Sequence, residues 1–184
     1  DVANKAKKGL HREVYNRLEA IIRSLEKGRF KDVKSELKLA FLSFDADIVD
    51  ADEAYYRLPK YKSGSTATVA IAYNGKVITA NIGDSPAYLI YPDGTIKAVF
   101  SKHCYENEEE RARVRAHGGY FLNNRLDGNL AMTRAFGDSS VDPAKDYLSA
   151  SPDVFINDIV PGMILVMMSD GVSDELDEDA IART

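Results

Sequence analysis

Thr66 to Ser101 reads TATVAIAYNGKVITANIGDSPAYLIYPDGTIKAVFS, and the way this stretch divides decides the fold. Asn74-Gly75 sits between two β-rich runs, TATVAIAY and KVITANIGDS. Asn-Gly between such runs is the strongest short-range hairpin signal, because both residues tolerate the positive φ of a tight primed turn. AYLIY and TIKAVFS repeat the design around Pro92-Asp93-Gly94, a second turn signature. Residues 66 to 101 are therefore expected to form an antiparallel meander of four strands. Both alternating faces of TATVAIAY are small or apolar, which predicts a strand covered on both sides and a sheet held between layers.

Upstream, Leu10, Val14, Leu18, Ile21, Ile22 and Leu25 recur at spacings of three and four, the stripe of one continuous helix from Ala3 to Lys27 that Gly28 stops. Val33, Leu37, Phe41, Phe44 and Ile48 draw a second stripe, and Pro59 forbids carrying that helix further. Two long antiparallel helices open the chain. Downstream, Asn107 followed by three glutamates predicts a helix start, and His117-Gly118-Gly119 its end. Residues 125 to 153 show little periodicity and many turn formers, the composition of a long surface connection close to function. Residues 153 to 160 and 163 to 169 read as another hairpin around Pro161-Gly162, and residues 174 to 184 begin a closing helix.

Composition narrows the function classes. The chain has 184 residues, 45% of them hydrophobic, enough for one domain with a substantial core. A formal charge of −5, with bases and acids interspersed, argues against nucleic acid as a partner. Cys104 is the only cysteine, which excludes an internal disulfide and a cysteine zinc site and is compatible with an intracellular location, cytoplasmic or nuclear. The longest apolar run, Met163 to Met168, is far below the roughly 20 residues of a membrane-spanning helix.

The residues that could carry chemistry lie in VMMSDGVSDE, Val166 to Glu175. Here an apolar strand ends on Ser169-Asp170-Gly171, delivering a carboxylate to the rim of a sheet beside a glycine that permits close approach. Asp174, four residues on, can turn back to the same cleft. Carboxylate oxygens suit magnesium or manganese, although an aspartate at a strand-helix junction is also a common cap.

SGSTATVAI (63–71), ANIGDSPAYLI (80–90), EEERARVRAHGGYF (108–121), RLDGNLAMTRAFGD (125–138), SPDVFI (151–156) and ILVMMSDGVSDEL (164–176) occur in one order and at separations that resemble the type 2C family of metal-dependent protein serine/threonine phosphatases. The resemblance implies an α+β fold, a four-layer α-β-β-α sandwich of two antiparallel sheets with helices outside. It implies a binuclear Mg2+ or Mn2+ site and hydrolysis of phosphoserine and phosphothreonine in phosphoprotein substrates by a metal-activated water. Asp170 matches a core metal ligand of the family, and Asp174 matches an acid of a further, weaker metal position.

The departures from the family pattern are specific. An Asp-Gly-His-Gly-Gly motif that supplies further ligands has no counterpart, and residue 1 falls about where it should end; a final Asp-Asn pair would follow Thr184. Residues 1–184 are thus expected to be part of a catalytic domain lacking strands at both ends, inactive alone and prone to self-association through open strand edges. Lys102 stands where the family has an acid of the weaker metal position, and Pro86 where it has an arginine; both lend weight to the alternative of a noncatalytic binding or regulatory module. His117 reads as a helix cap, His103 and His11 as ordinary surface or half-buried residues, and Asp84 and Asp138 as turn caps. Arg125 and Arg134 could approach an anionic substrate, but pinning a loop is the commoner role. No catalytic side chain is assigned within the chain, and the substrate contacts stay open.

Overall fold

A computed structural model describes residues 2–56, 63–138, 147–176 and 180–181, with side chains placed in the first segment through residue 48. Three helices open it: α1 Val2–Asn16, α2 Leu18–Glu26 and α3 Phe30–Tyr56. The single first helix expected from the stripe is broken at Arg17, where φ is −100° and ψ 0°. The stripe itself survives, with Leu10, Val14 and Ile21 all buried. What the break does is aim Arg17 at α3: its guanidinium donates to Glu36 Oε2 at 3.1 Å and lies 3.5 Å from Ser43 Oγ. Gly28, at φ +65°, ends α2 as expected. Val33, Leu37, Ala40, Phe41, Phe44 and Ile48 form the buried side of α3.

The strands are β1 Gly64–Ser65, β2 Ala67–Tyr73, β3 Lys76–Ile82, β4 Ala87–Ile90 and β5 Ile96–Ala98, then, beyond helix α4 Glu108–Ala116, β6 Phe121–Leu122, β7 Arg125–Leu126, β8 Phe136–Gly137, β9 Asp153–Asp158 and β10 Ile164–Met167. Both hairpins of the opening stretch form. Asn74 and Gly75 take φ 46° and 73°, and the Asp93 side chain accepts from Thr95 N in the second turn. The four-strand meander does not form. β3 and β4 belong to different three-stranded sheets, β2-β3-β9 and β10-β4-β5. The chain crosses between them at residues 83–86 because the ladder cannot continue there: the Gly83 N–H is spent on His103 Nδ1 at 3.0 Å and Pro86 has no N–H to give. The expected 153–169 hairpin is likewise a second crossing, with β9 on β3 and β10 on β4.

The result is an α+β sandwich of two antiparallel sheets. Ile78, Ala80 and Ile82 of β3 face α1, α2 and α3, while Val77 meets Leu89, Val99, Phe155 and Leu165 between the sheets. Thr79 Oγ1 donates to Val99 O, and Asn81 exchanges two hydrogen bonds with the Ser101 backbone, stapling one sheet to the other. Tyr88 and Ile90 on the outer face of the second sheet are covered by Ile181. It is central β3, buried from Val77 to Ile82, that is covered on both sides; β2, expected to be, is half-buried because it lies at an edge. Among the described residues β2 and β9 each leave one edge without a strand, the edges that the expected self-association would use.

The 125–153 connection is far more than a surface segment. Leu126, Thr133, Ala135, Phe136, Tyr147 and Ala150 are buried, and the Phe136 ring lies 5.3 Å from Phe41 and 5.1 Å from Phe44 in the main core. Residues 139–146 of it lie outside the described set, as does most of the expected closing helix. The one-turn helix α5, Asp170–Ser173, was not foreseen.

Helix α4 begins as its sequence dictates: Asn107 Oδ1 accepts from the N–H groups of Glu109 and Glu110. Asn107→Ala removes that cap and is expected to cost about 1 kcal/mol, read from the urea midpoint; an unchanged midpoint would show that the cap contributes nothing.

Candidate active-site cleft

The pairing of β10 with β4 sets Met167 opposite Ala87 and Leu165 opposite Leu89, and Met168 N still donates to Pro86 O at 3.2 Å. Asp170 and Asp84 lie just beyond these paired strand ends, where the ladder stops. The two carboxylates line one cleft of about 360 Å3 with Asp174, Lys102, Glu106 and Arg125. Burial, and next the charge of Asp170, push the Asp84 carboxyl above the ordinary aspartate value, with Lys102 pulling the other way. Asp84 is therefore a cleft acid, where the sequence suggested a turn cap.

Asp170 is exposed at the first position of α5, and its Oδ1 accepts from Gly171 N at 2.8 Å. Asp174 closes that turn, its N–H donating to Asp170 O. Its Oδ1 lies 3.9 Å from Lys102 Nζ. Hard carboxylate oxygens in an open polar cleft suit a hydrated divalent ion at Asp170. The set is incomplete, since the described residues contain no group of three or more His, Cys, Asp or Glu that could hold a metal, and an ammonium beside Asp174 suits a cation there poorly.

Behind the cleft runs a buried polar network. Glu110, only 2% exposed, accepts from Arg113 Nη2 at 2.8 Å, from Thr133 Oγ1 at 2.6 Å and from Arg134 Nη2 at 2.6 Å. Arg134 Nη1 also donates to Asp153 Oδ1 and Ser151 O. Asp153 Oδ2 meets His103 Nε2 at 3.3 Å. Because the Gly83 N–H donates to Nδ1, the proton of this imidazole sits on Nε2 and points to Asp153. Burial would raise the Asp153 carboxyl, but hydrogen bonds from His103 and Ser101 and the charge of Arg134 hold it well below the usual range. The network thus ties α4 to Gly83, the residue before Asp84. Gly83 has φ +92°, and a Cβ there would lie 2.2 Å from Thr66 Cγ2, so no other residue fits.

His103 is fully buried, in contrast to the half-buried or surface position expected for it. Arg134 pins its loop and is committed to Glu110 and Asp153, whereas Arg125 stands exposed at the cleft with Nη1 on Asn129 O. His117 caps α4 and is exposed. Asp138 packs against Gly64, where an added Cβ would meet its Oδ2 at 1.9 Å. Glu110 gave one signal in the sequence, its place in the first turn of a helix, and that signal suggested solvent.

Residues 2–184 match the family described as Protein phosphatase 2C. The chain belongs to that family. Protein phosphatase 2C homolog 3 of Schizosaccharomyces pombe is 37% identical over 149 residues, covering 78% of this chain and 35% of that protein. Probable protein phosphatase 2C 59 of Oryza sativa subsp. japonica is 33% identical over 159 residues, covering 83% and 46%. The chain therefore spans less than half the length of these protein phosphatase 2C relatives. Among solved structures, the serine-threonine phosphatase 2C from Toxoplasma gondii superposes with a TM-score of 0.70 at 21% identity, over 99% of this chain and 65% of that one. A sex-determining protein of C. elegans does so at 0.68 and 23%, over 82% and 37%. The Toxoplasma gondii structure places the α+β sandwich of this chain within the protein phosphatase 2C fold. No helix among the described residues is long and apolar enough to cross a membrane.

Proposed function

We propose that this chain is part of the catalytic domain of a Mg2+- or Mn2+-dependent protein serine/threonine phosphatase, acting on intracellular phosphoproteins. The observation that carries the reading is the position of Asp170, within the Ser-Asp-Gly motif that resembles the family's, lining the same cleft as Asp84. A divalent ion bound there supplies Lewis-acid polarisation of a phosphate ester and a water of lowered pKa. Asp170, whose Oδ1 accepts from Gly171 N–H, would be the residue that holds it. Asp84 adds negative charge behind it and favours cation binding. Arg125, exposed on the rim, is placed to meet the ester's anionic oxygens. The Glu110 network fixes the Gly83 crossing and so the distance between the two sides of the cleft. The described residues supply too few ligands for a binuclear site, and the remaining ones would come from elsewhere in the domain.

The noncatalytic reading, a binding or regulatory module, is favoured by Lys102 beside Asp174. One experiment separates the two: phosphate release from a phosphothreonine peptide by the whole protein that carries this chain, with Mn2+ and with a chelator. Mn2+-dependent release from the whole protein, and none from the 184-residue chain, is expected. A folded whole protein with no release at any metal concentration would leave the noncatalytic module standing.

A further inference from the structure

Lys102 lies within the connection from β5 to α4, and its ammonium feels the charge of several acids. Nζ lies 3.9 Å from Asp174 Oδ1, and its charge also acts on Asp84 and Glu106. Its backbone is pinned: the Lys102 carbonyl accepts from Asn107 Nδ2 at 3.1 Å, and the next residue, His103, is fully buried between Gly83 and Asp153. The flexible stem can move only from a fixed root at the edge of the cleft. Three aspartates share that cleft, and like charges so placed call for a cation.

We propose that Lys102 is that cation for half of the cleft: its ammonium, beside Asp174, occupies the position that a divalent ion would otherwise take there, leaving Asp170 as the acid open to metal. This rests on the phosphatase reading of Asp170 and specifies it. A divalent ion brought to Asp174 must either face an ammonium at about 4 Å, where repulsion is strong even near a surface, or displace it into solvent. Both side chains are more than half exposed, so displacement is possible at a cost, and the effect is a weakened metal position, not an abolished one. Asp174 is accordingly a latent ligand, silenced by its neighbour.

The test is Mn2+ binding to the chain, followed by loss of the free-ion electron paramagnetic resonance signal, with circular dichroism confirming the fold of each variant. Lys102→Asp exchanges the ammonium for a carboxylate and is expected to tighten Mn2+ binding about tenfold or more, Lys102→Ala by less, and Lys102→Arg not at all. Adding Asp174→Asn to Lys102→Asp should reverse the gain. Unchanged affinity in Lys102→Asp, or a gain that survives Asp174→Asn, overturns the proposal. Failure of the underlying reading looks different: Asp170→Asn would then leave the Mn2+ affinity of the otherwise native chain where it was.

Discussion

Asp170→Asn in the whole protein is expected to lower kcat/KM on a phosphothreonine peptide by roughly a thousandfold, about 4 kcal/mol of transition-state stabilisation, with little change in stability. The loss follows from charge and not from shape. Asparagine keeps the side-chain oxygen that receives the Gly171 N–H and keeps the backbone carbonyl that receives Ser173 Oγ. The residue is exposed, and substitutions at such positions seldom move stability by more than about 0.5 kcal/mol. What disappears is the negative charge, and with it the repulsion that helps push up the Asp84 carboxyl after burial. Steady-state kinetics at saturating Mn2+, paired with a thermal melt, is the measurement. A variant within tenfold of the native enzyme would remove Asp170 from the site.

Glu110→Gln should be the most damaging conservative change in the described structure, at about 3–5 kcal/mol at pH 7. Glu110 gathers Arg113, Arg134 and Thr133 on its two oxygens. A glutamine offers one acceptor and turns an amide donor toward the guanidinium groups, so half-buried Arg113 loses its carboxylate partner and Arg134 is left with Asp153 alone. The pH dependence has a fixed sign. Burial favours protonation, but the hydrogen bonds from Arg134, Arg113 and Thr133 win and bring Glu110 down to about 2 from its ordinary 4.5. The folded value lies below the unfolded one, so the stabilisation is complete above about pH 4.5 and fades as the pH falls from there toward 2. Asp153 is shifted in the same direction and reinforces the loss. Urea unfolding across pH 7 to 3 is expected to show a steep acid limb in the native chain and a flatter one in the variant. A loss under about 1 kcal/mol at pH 7 would mean that the network is not a unit.

Local signals in the sequence say where this chain turns and which faces are apolar, and those parts were legible. The stripes from Leu10 to Ile48, the Asn74-Gly75 turn, the Asn107 cap and the His117 helix end all stand in the structure. What a local pattern does not carry is which strand a β-rich run will pair with. Gly83-Asp84-Ser85-Pro86 reads as one more turn of a meander, yet it carries the chain from one sheet to the other, and only the pairing of β4 with distant β10 shows Asp84 meeting Asp170. The sandwich itself came from the resemblance of ordered motifs to a family. Glu110 was hidden for a related reason. Glu108 and Glu109 are exposed as first-turn acids should be, and nothing in the triplet distinguishes the third until Arg134 arrives from the connection once read as surface. Asp170 was found because its strand end is local; its partners were not.

The two crossings also order events in time. Lys76 pairs with Asp158, and Ala87 with Met167, so each sheet waits for a strand that follows its hairpin by some seventy residues. On a ribosome adding about 5–20 residues per second, that is a delay of roughly 3.5–14 seconds. During it the β2-β3 and β4-β5 hairpins are available but each sheet lacks its third strand, a stage that a protease pulse on stalled nascent chains would reveal by cleavage in β3 or β4. Asp170 emerges after both sheets can close, so a nascent chain gathers the acids of the cleft only once the scaffold beneath them can be built.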